Sequence, residues 1–145
     1  MSRYEFGAGF QKATDDAPWD RFFTTLELEA SYPEPGVAEV LWSDPSAYTF
    51  PGPAGGWLVH GGMLAMLADT AMGHATFTLL DEHQSFLTGD LRIDFLRAAP
   101  TQPLLGVGRV DRRARRVYHC SAQLVDVDRS TVFAESRCVQ VILAG

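Results

Sequence analysis

The amino-acid sequence predicts an α+β fold in which one long central helix is wrapped by a curved antiparallel sheet of about six strands. Residues 61–80 are apolar nearly all round, which is typical of a helix that is buried on more than one side. The segments before and after this helix alternate polar and apolar residues, which indicates half-buried strands. Two such segments precede the helix and four follow it, and this order fits a single sheet that buries one face of the helix. One sheet would leave much of an apolar helix uncovered, which implies that a second copy of the chain covers it.

The N-terminal part divides into an extension, residues 1–18, and the beginning of a single domain that spans residues 19–145. The extension is irregular, and a short helix is expected around residues 19–23. Residues 24–32 alternate Leu and Ala with Glu and Ser, which predicts a half-buried strand. Residues 36–42 follow a Pro-Glu-Pro-Gly turn and are interpreted as its antiparallel partner.

The segment before the helix, residues 43–56, holds three prolines and three glycines and is predicted to be a loop. After the helix the alternation predicts four strands, at residues 85–99, 102–111, 115–128 and 130–144. Tight turns are expected at residues 111–114 and 126–130.

The composition excludes several classes of protein. The chain carries 12 Lys and Arg against 18 Asp and Glu, a net charge of −6, which argues against a general nucleic-acid binder. The first residues lack the apolar core of a signal peptide, and no apolar run is long enough to cross a bilayer, so a cytoplasmic protein without a membrane partner is expected. Cys120, Cys138 and the four histidines show no metal-ligand spacing, so we expect no metal and no cofactor.

The segment VHGGMLAMLADTAMGHA, residues 59–75, carries a single acid, Asp69, in an otherwise apolar helix. No Lys or Arg lies one helical turn away, and a buried, unpaired carboxylate is costly. Asp69 is therefore predicted either to perform chemistry or to hydrogen-bond a backbone group across a subunit contact. The glycines that open the helix, Gly61 and Gly62, allow a substrate carbonyl to approach the unpaired N–H groups there. A loop-to-helix transition that needs glycine is the alternative.

The motif HGGMLAMLADTAMG followed by TGDLRIDFLRAA resembles the hotdog-fold acyl-CoA thioesterases of the phenylacetic-acid-degradation (PaaI-like) family, over about residues 20–143. The resemblance implies a hotdog fold, pairing of subunits into homodimers and often homotetramers, and metal-free hydrolysis of acyl-CoA. It also implies that Gly61 donates its N–H to the oxyanion and that Asp69 is the general base or nucleophile. In the same way, Thr88 would hold the attacking water or the carboxylate, and His60 would brace the loop beside Gly61.

Thr88 presents a conflict between the resemblance and the local pattern. Strict alternation places it opposite Leu87, Leu91 and Ile93, away from the face that packs on the helix. A bulge at Gly89 would redirect its side chain to that face. Without a bulge, Thr88 is an ordinary exposed strand residue.

The sequence departs from the family at one position. The family commonly has an Asn six residues before the His, where this chain has Ala54, and the chain contains no Asn at all. Another group, such as Gln84 or a backbone amide, would have to place the substrate or the water. Otherwise the rate, substrate or mechanism differs from that of the better-known members.

Two groups of residues are candidates for binding the substrate. The first would form an acyl or aryl pocket beside Gly62, although each member fits an ordinary core equally well: Trp57, Met63, Met66 and Phe86. The second belongs to the basic stretch RVDRRARR and would meet the phosphates of CoA: Arg113, Arg115 and Arg116. A solvated hairpin end is the alternative for these arginines.

These observations predict an acyl-CoA thioesterase. A hydratase or dehydratase of acyl thioesters and a non-catalytic acyl-CoA binding module are the alternatives, and the acid that follows HGG on the helix favours hydrolysis. Gly61 and Asp69 are eight residues apart, roughly 12 Å along a helix, so one chain cannot bring both to one carbonyl. We therefore predict a homodimer in which Gly61 of one subunit faces Asp69 of the other.

Overall fold

A six-stranded antiparallel sheet packs round one long helix in the computed structural model, which describes residues 2–12 and 20–144. The order of the strands across the sheet is β1-β2-β6-β7-β8-β5. They are β1 (Leu28–Glu34), β2 (Val37–Trp42), β5 (Gln84–Phe95), β6 (Leu104–Arg113), β7 (Val117–Asp126) and β8 (Val132–Ala144). The helices are α1 (Ala8–Lys12), α2 (Asp20–Leu26) and α3 (Gly61–Phe77), and a separate two-stranded ribbon joins β3 (Thr49–Pro51) to β4 (Trp57–Val59). The predicted α+β hotdog architecture is confirmed.

Helix α3 lies very close to strand β6 because β6 carries glycines where it faces the helix. A Cβ atom on Gly108 would come within 2.3 Å of the Ala71 carbonyl oxygen, and one on Gly106 would lie 3.2 Å from the Leu67 side chain. One side of the helix is buried by this contact: Leu64, Leu67, Ala68, Ala71, Met72 and Ala75. Among the described residues, no helix is long and apolar enough to cross a membrane.

The opposite side of α3 is not covered by the chain's own sheet. This side, which we call the open face, consists of Gly62, Ala65, Met66, Asp69 and Thr70; Gly62 is exposed and the other four are half-buried. Strand β5 runs along the edge of the sheet beside it. As the sequence predicted, one sheet leaves part of an apolar helix exposed.

A bulge in β5 decides which side chains face α3. Thr88 pairs with Gln140 and Asp90 with Val139, so Gly89 is an extra residue in the strand, and the predicted bulge at Gly89 is confirmed. Thr88 consequently shares the inner face with Leu91 and Ile93. Leu87, which strict alternation placed on that face, instead points to the outer side, with 64% of its surface exposed. Strict alternation failed here because the bulge shifts the register by one residue.

The N-terminal segment packs against the far end of α3. The Gly7 N–H donates to the Thr78 carbonyl oxygen at 2.8 Å, and the Gly9 N–H donates to the Leu80 carbonyl oxygen at 3.0 Å. These two bonds hold the N-terminal segment against the residues that follow the end of α3. The Phe10 ring adds an edge-on contact with Phe77.

Several predicted boundaries were wrong. Residues 24–26 belong to α2 rather than to a strand, because Phe23 of α2 packs against His74. The helix ends at Leu26, before Glu27, whose φ is 57°. Helix α3 stops three residues before the predicted Leu80, where the Thr78 hydroxyl donates to the Ala75 carbonyl oxygen. Trp19, part of the expected short helix, lies outside the described residues.

Two loops also differ from the prediction. The segment 43–56 is not entirely a loop, because Thr49–Pro51 pairs with Trp57–Val59 and forms the small ribbon. The turn expected at residues 111–114 lies at 114–116, since a register shift between Val110 and Arg112 lets β6 continue to Arg113. The Ala114 N–H then closes the hairpin by donating to the Val117 carbonyl oxygen at 3.0 Å.

Candidate active site

The start of α3 is fixed by His60. The His60 Nδ1 atom accepts a hydrogen bond from the Gly62 N–H at 2.9 Å and so caps the helix. A Cβ atom on Gly62 would lie 3.0 Å from the same nitrogen, so the glycine leaves room for the imidazole. The His60 N–H in turn donates to the Tyr48 carbonyl oxygen at 3.0 Å. These contacts fit the bracing role that the resemblance implies for His60.

Gly61 presents a backbone donor beside an apolar cavity. As the first residue of α3 it has no intrahelical acceptor, and its N–H bonds to no other described residue of the chain. A cavity of about 280 Å³ adjoins it. Apart from Gly61, the cavity wall consists of one charged residue, Arg97, and eight apolar ones: Phe50, Leu58, Val59, Leu64, Phe95, Leu96, Ala98 and Ala99. The sequence did not identify Phe95, whose ring would lie 3.3 Å from a Cβ atom on Gly61.

Asp69 lies in the middle of α3, where its carboxylate accepts a hydrogen bond from a strand of the same chain. The Thr88 hydroxyl donates to Asp69 Oδ1 at 2.7 Å, which the bulge at Gly89 makes possible. Asp69 is half-buried rather than buried in this chain, and the Thr88 hydroxyl partly compensates its charge. Within the described part of the chain it has no cationic partner. A carboxylate that has one oxygen held by a hydrogen bond and no cation beside it can act as a base or a nucleophile.

Sequence reasoning missed Gln140, which extends this contact into the core. Its side chain is completely buried; Oε1 lies 3.2 Å from the Thr88 hydroxyl oxygen, and Nε2 lies 3.2 Å from Cys138 Sγ. The available signal was a glutamine at an inward position of β8, where the neighbouring inward residues are small or apolar. Gln84, suggested as a substitute for the missing Asn, instead accepts a hydrogen bond from the Asp81 N–H in the turn before β5.

Strand β5 runs antiparallel to α3 and lies beside the open face. Phe86 packs on Gly73, where a Cβ atom would lie 3.2 Å from the ring, and Phe95 packs on Gly61. Met63 and Met66, on the helix between Gly61 and Asp69, are half-buried. The structure thus brings three of the four predicted pocket residues to the side of the candidate site.

Trp57, the fourth, lies elsewhere. It belongs to β4, where 59% of its surface is exposed. It lines a different groove together with Ser46, Thr49 and Thr101.

The three predicted arginines divide into two groups. Arg113 is engaged within the chain, because its Nε donates to the Tyr118 hydroxyl at 2.8 Å and its Nη2 to the Leu79 carbonyl oxygen at 3.4 Å. Its guanidinium also stacks on the Tyr118 ring. Arg115 and Arg116 lie exposed in the turn between β6 and β7. Only these two are available for a ligand without loss of an internal contact.

Other features of the described residues lie apart from Asp69. A cavity of about 470 Å³ on the outer face of the sheet is lined by charged residues that include Arg92, Arg109 and Arg137, and by none of the predicted site residues. No group of three or more His, Cys, Asp or Glu side chains in residues 2–12 and 20–144 could hold a metal ion.

Solved structures share this architecture. A thioesterase family protein from Silicibacter pomeroyi has a TM-score of 0.78 at 21% identity, with 94% of this chain and 97% of that chain covered. A putative thioesterase related to phenylacetic acid degradation from Ralstonia eutropha has a TM-score of 0.77 at 24% identity, covering 92% and 98%. The PaaI protein of Escherichia coli has a TM-score of 0.74 at 21% identity, covering 87% and 86%. These likenesses establish the shared fold.

Sequence comparison gives a family assignment as well. Comparison with curated proteins finds no match. The profile of the thioesterase superfamily matches residues 58–133, which is more than half of the chain and includes the HGG motif, Asp69 and Thr88. The chain therefore belongs to the thioesterase superfamily.

Proposed function

We propose that this protein hydrolyses an acyl- or aryl-CoA thioester to the free acid and CoA. The observation that carries the proposal is the hydrogen bond from Thr88 to Asp69, on a helix that presents the unpaired N–H of Gly61 at its start. Thioester hydrolysis needs a group that delivers water and a donor that stabilises the oxyanion. The apolar cavity beside Gly61 supports an apolar acyl group.

In the proposed reaction, Asp69 acts as general base. It takes a proton from water while the water oxygen bonds to the thioester carbon, and the Gly61 N–H stabilises the negative charge that develops on the carbonyl oxygen. The carbon–sulfur bond then breaks, the acid is released, and the proton held by Asp69 passes to the CoA thiolate. The alternative is direct attack by the carboxylate, which would form an anhydride that water then hydrolyses.

Label in the side chain of Asp69 after a single turnover in ¹⁸O-labelled water would identify the nucleophilic route. General-base catalysis places the label in the product acid. Nucleophilic attack, followed by hydrolysis at the Asp69 carbonyl carbon, places it in the side chain of Asp69.

The proposed site is shared between two subunits. Gly61 and Asp69 belong to one continuous helix, so they are roughly 12 Å apart along its axis. Two copies of α3, packed antiparallel through their open faces, would place Gly61 of each beside Asp69 of the other. The long edge strand β5 supports pairing of copies, because its apolar residues Leu87 and Phe95 are 64% and 55% exposed. A homodimer, and from it a homotetramer, is the assembly we propose.

The decisive experiment measures thiol release from a panel of acyl-CoA and aryl-CoA esters. We expect the wild-type protein to release CoA and Asp69→Asn to lower kcat by about 10²-fold or more, because a positioned base is lost. Asp90→Asn is the matched control, since Asp90 is an exposed carboxylate of β5 on the outer face. Near-wild-type turnover by a folded Asp69→Asn variant would contradict the assignment.

A second candidate, a non-catalytic acyl-CoA binding module, is favoured by Ala54, which stands where the family commonly has an Asn. Tight binding of CoA esters by the wild-type protein without any thiol release would select it. The same measurement therefore decides between the two functions.

A further inference from the structure

Thr88 has one hydroxyl proton and two acceptors within reach. Its Oγ1 atom lies 2.7 Å from Asp69 Oδ1 and 3.2 Å from Gln140 Oε1. A single proton can serve only one of these oxygens. It goes to Asp69, because that distance is shorter and a charged acceptor forms the stronger bond.

Gln140 cannot keep its amide oxygen toward Thr88 once the proton points to Asp69. Two oxygens would then face each other with no proton between them, in a site where Gln140 is completely buried. A half-turn of the amide leaves its shape unchanged and exchanges oxygen and nitrogen. The amide nitrogen then donates to Thr88 Oγ1, and the amide oxygen faces Cys138 Sγ.

Cys138 can supply the proton that this orientation requires. Cys138 is a free, buried thiol, and its S–H can point to the amide oxygen of Gln140 while the neighbouring Cys120 donates its own S–H to Cys138 Sγ. A thiol is a weak donor that suits an amide oxygen at this separation. Each polar atom of Gln140 therefore has a complementary neighbour.

We infer that Gln140 is a positioning residue for the proposed hydrolysis: its N–H holds the Thr88 oxygen, so that the Thr88 hydroxyl proton points to Asp69. The inference rests on the proposed function. The bonds run in one direction, from Cys138 through Gln140 and Thr88 to the carboxylate, and bonds in such a chain strengthen one another. Asp69 Oδ1 is thereby occupied, which leaves Oδ2 to take the proton from water.

Loss of the Gln140 side chain should change kcat but not KM. Gln140 lies in the core and does not reach the open face, so its loss should not alter substrate binding. Its loss would free the Thr88 hydroxyl to rotate, and Asp69 would lose its fixed orientation. We expect Gln140→Met, which keeps the volume of the side chain, to lower kcat about tenfold with KM unchanged.

A double-mutant cycle tests the route of this effect. In a Thr88→Val background there is no hydroxyl to orient, so adding Gln140→Met should lower kcat no further. Ser136→Ala is the matched control, because Ser136 is also a buried inward residue of β8 with a hydrogen-bonded side chain. Its hydroxyl donates to the Arg92 carbonyl oxygen at 2.7 Å. Loss of this hydroxyl should leave kcat within about twofold of the wild-type value. An unchanged kcat for Gln140→Met, or equal effects of Gln140→Met in both backgrounds, would overturn the inference.

A measurement on the unmodified protein separates this inference from the proposed function. In NMR spectra, the side-chain amide protons of Gln140 should show nuclear Overhauser contacts to the methyl group of Thr88. Contacts to the β-protons of Cys138 alone would overturn the inference, even if the enzyme is active. If the wild-type protein hydrolyses no CoA ester, the proposed function fails, and the NMR result still decides how Gln140 is oriented.

Discussion

At the scale of single residues, two ionisable groups of α3 lie in different environments. Asp69 lies on the open face, where the hydroxyl of Thr88 supports its charge. His74, a little more than one turn further along, is buried, and its Nδ1 lies 2.8 Å from the Tyr32 hydroxyl. Burial lowers the pKa of His74 to about 4 and raises the pKa of Tyr32 to about 12. Burial on the inner side of the helix therefore disfavours the charged form of His74.

The lowered pKa of His74 predicts sensitivity to acid. Between the ordinary histidine value of 6.5 and about 4, the unfolded chain binds a proton that the folded chain refuses. The free energy of unfolding should therefore fall as the pH falls through this window, by up to about 1.4 kcal/mol per unit. Urea unfolding at pH 7, 6 and 5 measures it.

A His74→Gln variant should show a flatter dependence on pH over the same range. His83→Gln, which changes an exposed histidine, should keep the wild-type slope. Equal slopes for the wild-type protein and His74→Gln would contradict the assignment to His74.

At the scale of elements, the contact between α3 and β6 sets where the site lies. The two glycines of β6 let the helix backbone come close to the sheet, so the buried side of α3 is fixed. Asp69 then lies on the side toward β5, and the bulge at Gly89 brings Thr88 to meet it. A small change in the position of the helix would therefore disturb the site.

Gly108→Ala tests this contact. The added Cβ atom would lie 2.3 Å from a backbone carbonyl oxygen of α3, which cannot move without the helix. We expect the free energy of unfolding to fall by about 3 kcal/mol, measured by urea denaturation. Gly106→Ala is the comparison, since a Cβ atom on Gly106 would lie 3.2 Å from its closest neighbours, which are side-chain atoms. This variant should lower the free energy of unfolding by less. Equal losses would argue against the close approach at Gly108.

At the scale of the whole molecule, the described residues leave the open face of α3 and the long edge strand β5 uncovered. The open face carries Asp69, and the unpaired N–H of Gly61 lies near the other end of the same helix. The distance between the two makes each chain incomplete for the proposed reaction. Assembly and chemistry are therefore predicted to depend on the same surface.

Mixed dimers test the shared site. Gly61→Val and Asp69→Asn should each be inactive alone, because each damages both sites of its own homodimer. A purified heterodimer of the two variants has one intact site, so it should recover about half of the wild-type rate of thiol release. Inactive heterodimers, formed from variants that are folded and dimeric, would place the chemistry within one chain.

The exposed arginines give a prediction about the substrate. The net charge of −6 opposes the approach of an anion, and a local basic turn would favour the approach of the phosphates of the proposed CoA substrate. Replacing both Arg115 and Arg116 with Ala should raise KM for CoA esters about fivefold and leave short thioesters without CoA unaffected. Equal effects on both kinds of substrate would exclude a CoA site. Arg113→Ala should instead lower stability, because Arg113 bonds Tyr118 and Leu79.

The sequence by itself determined the main elements, the superfamily and the principal candidate residues. An apolar helix with one acid and an opening pair of glycines is a local pattern, readable within residues 59–75. The strands after the helix were equally readable, because alternation with period two is local. One exception was residues 24–26, where Phe23 packs on His74 and a contact distant in the sequence overrides the local preference.

Only the tertiary structure decided how the candidate site is completed. Alternation alone placed Thr88 on the wrong face, and it was the pairing of β5 with β8 that showed the bulge. Gln140 lies 52 residues from Thr88 along the chain, so no local pattern could connect the two. Arg113 looks like its basic neighbours in the sequence, but its contacts with Tyr118 and Leu79 set it apart. Hydrogen bonds of this kind depend on the register between strands, and that register is fixed only when the sheet closes round the helix.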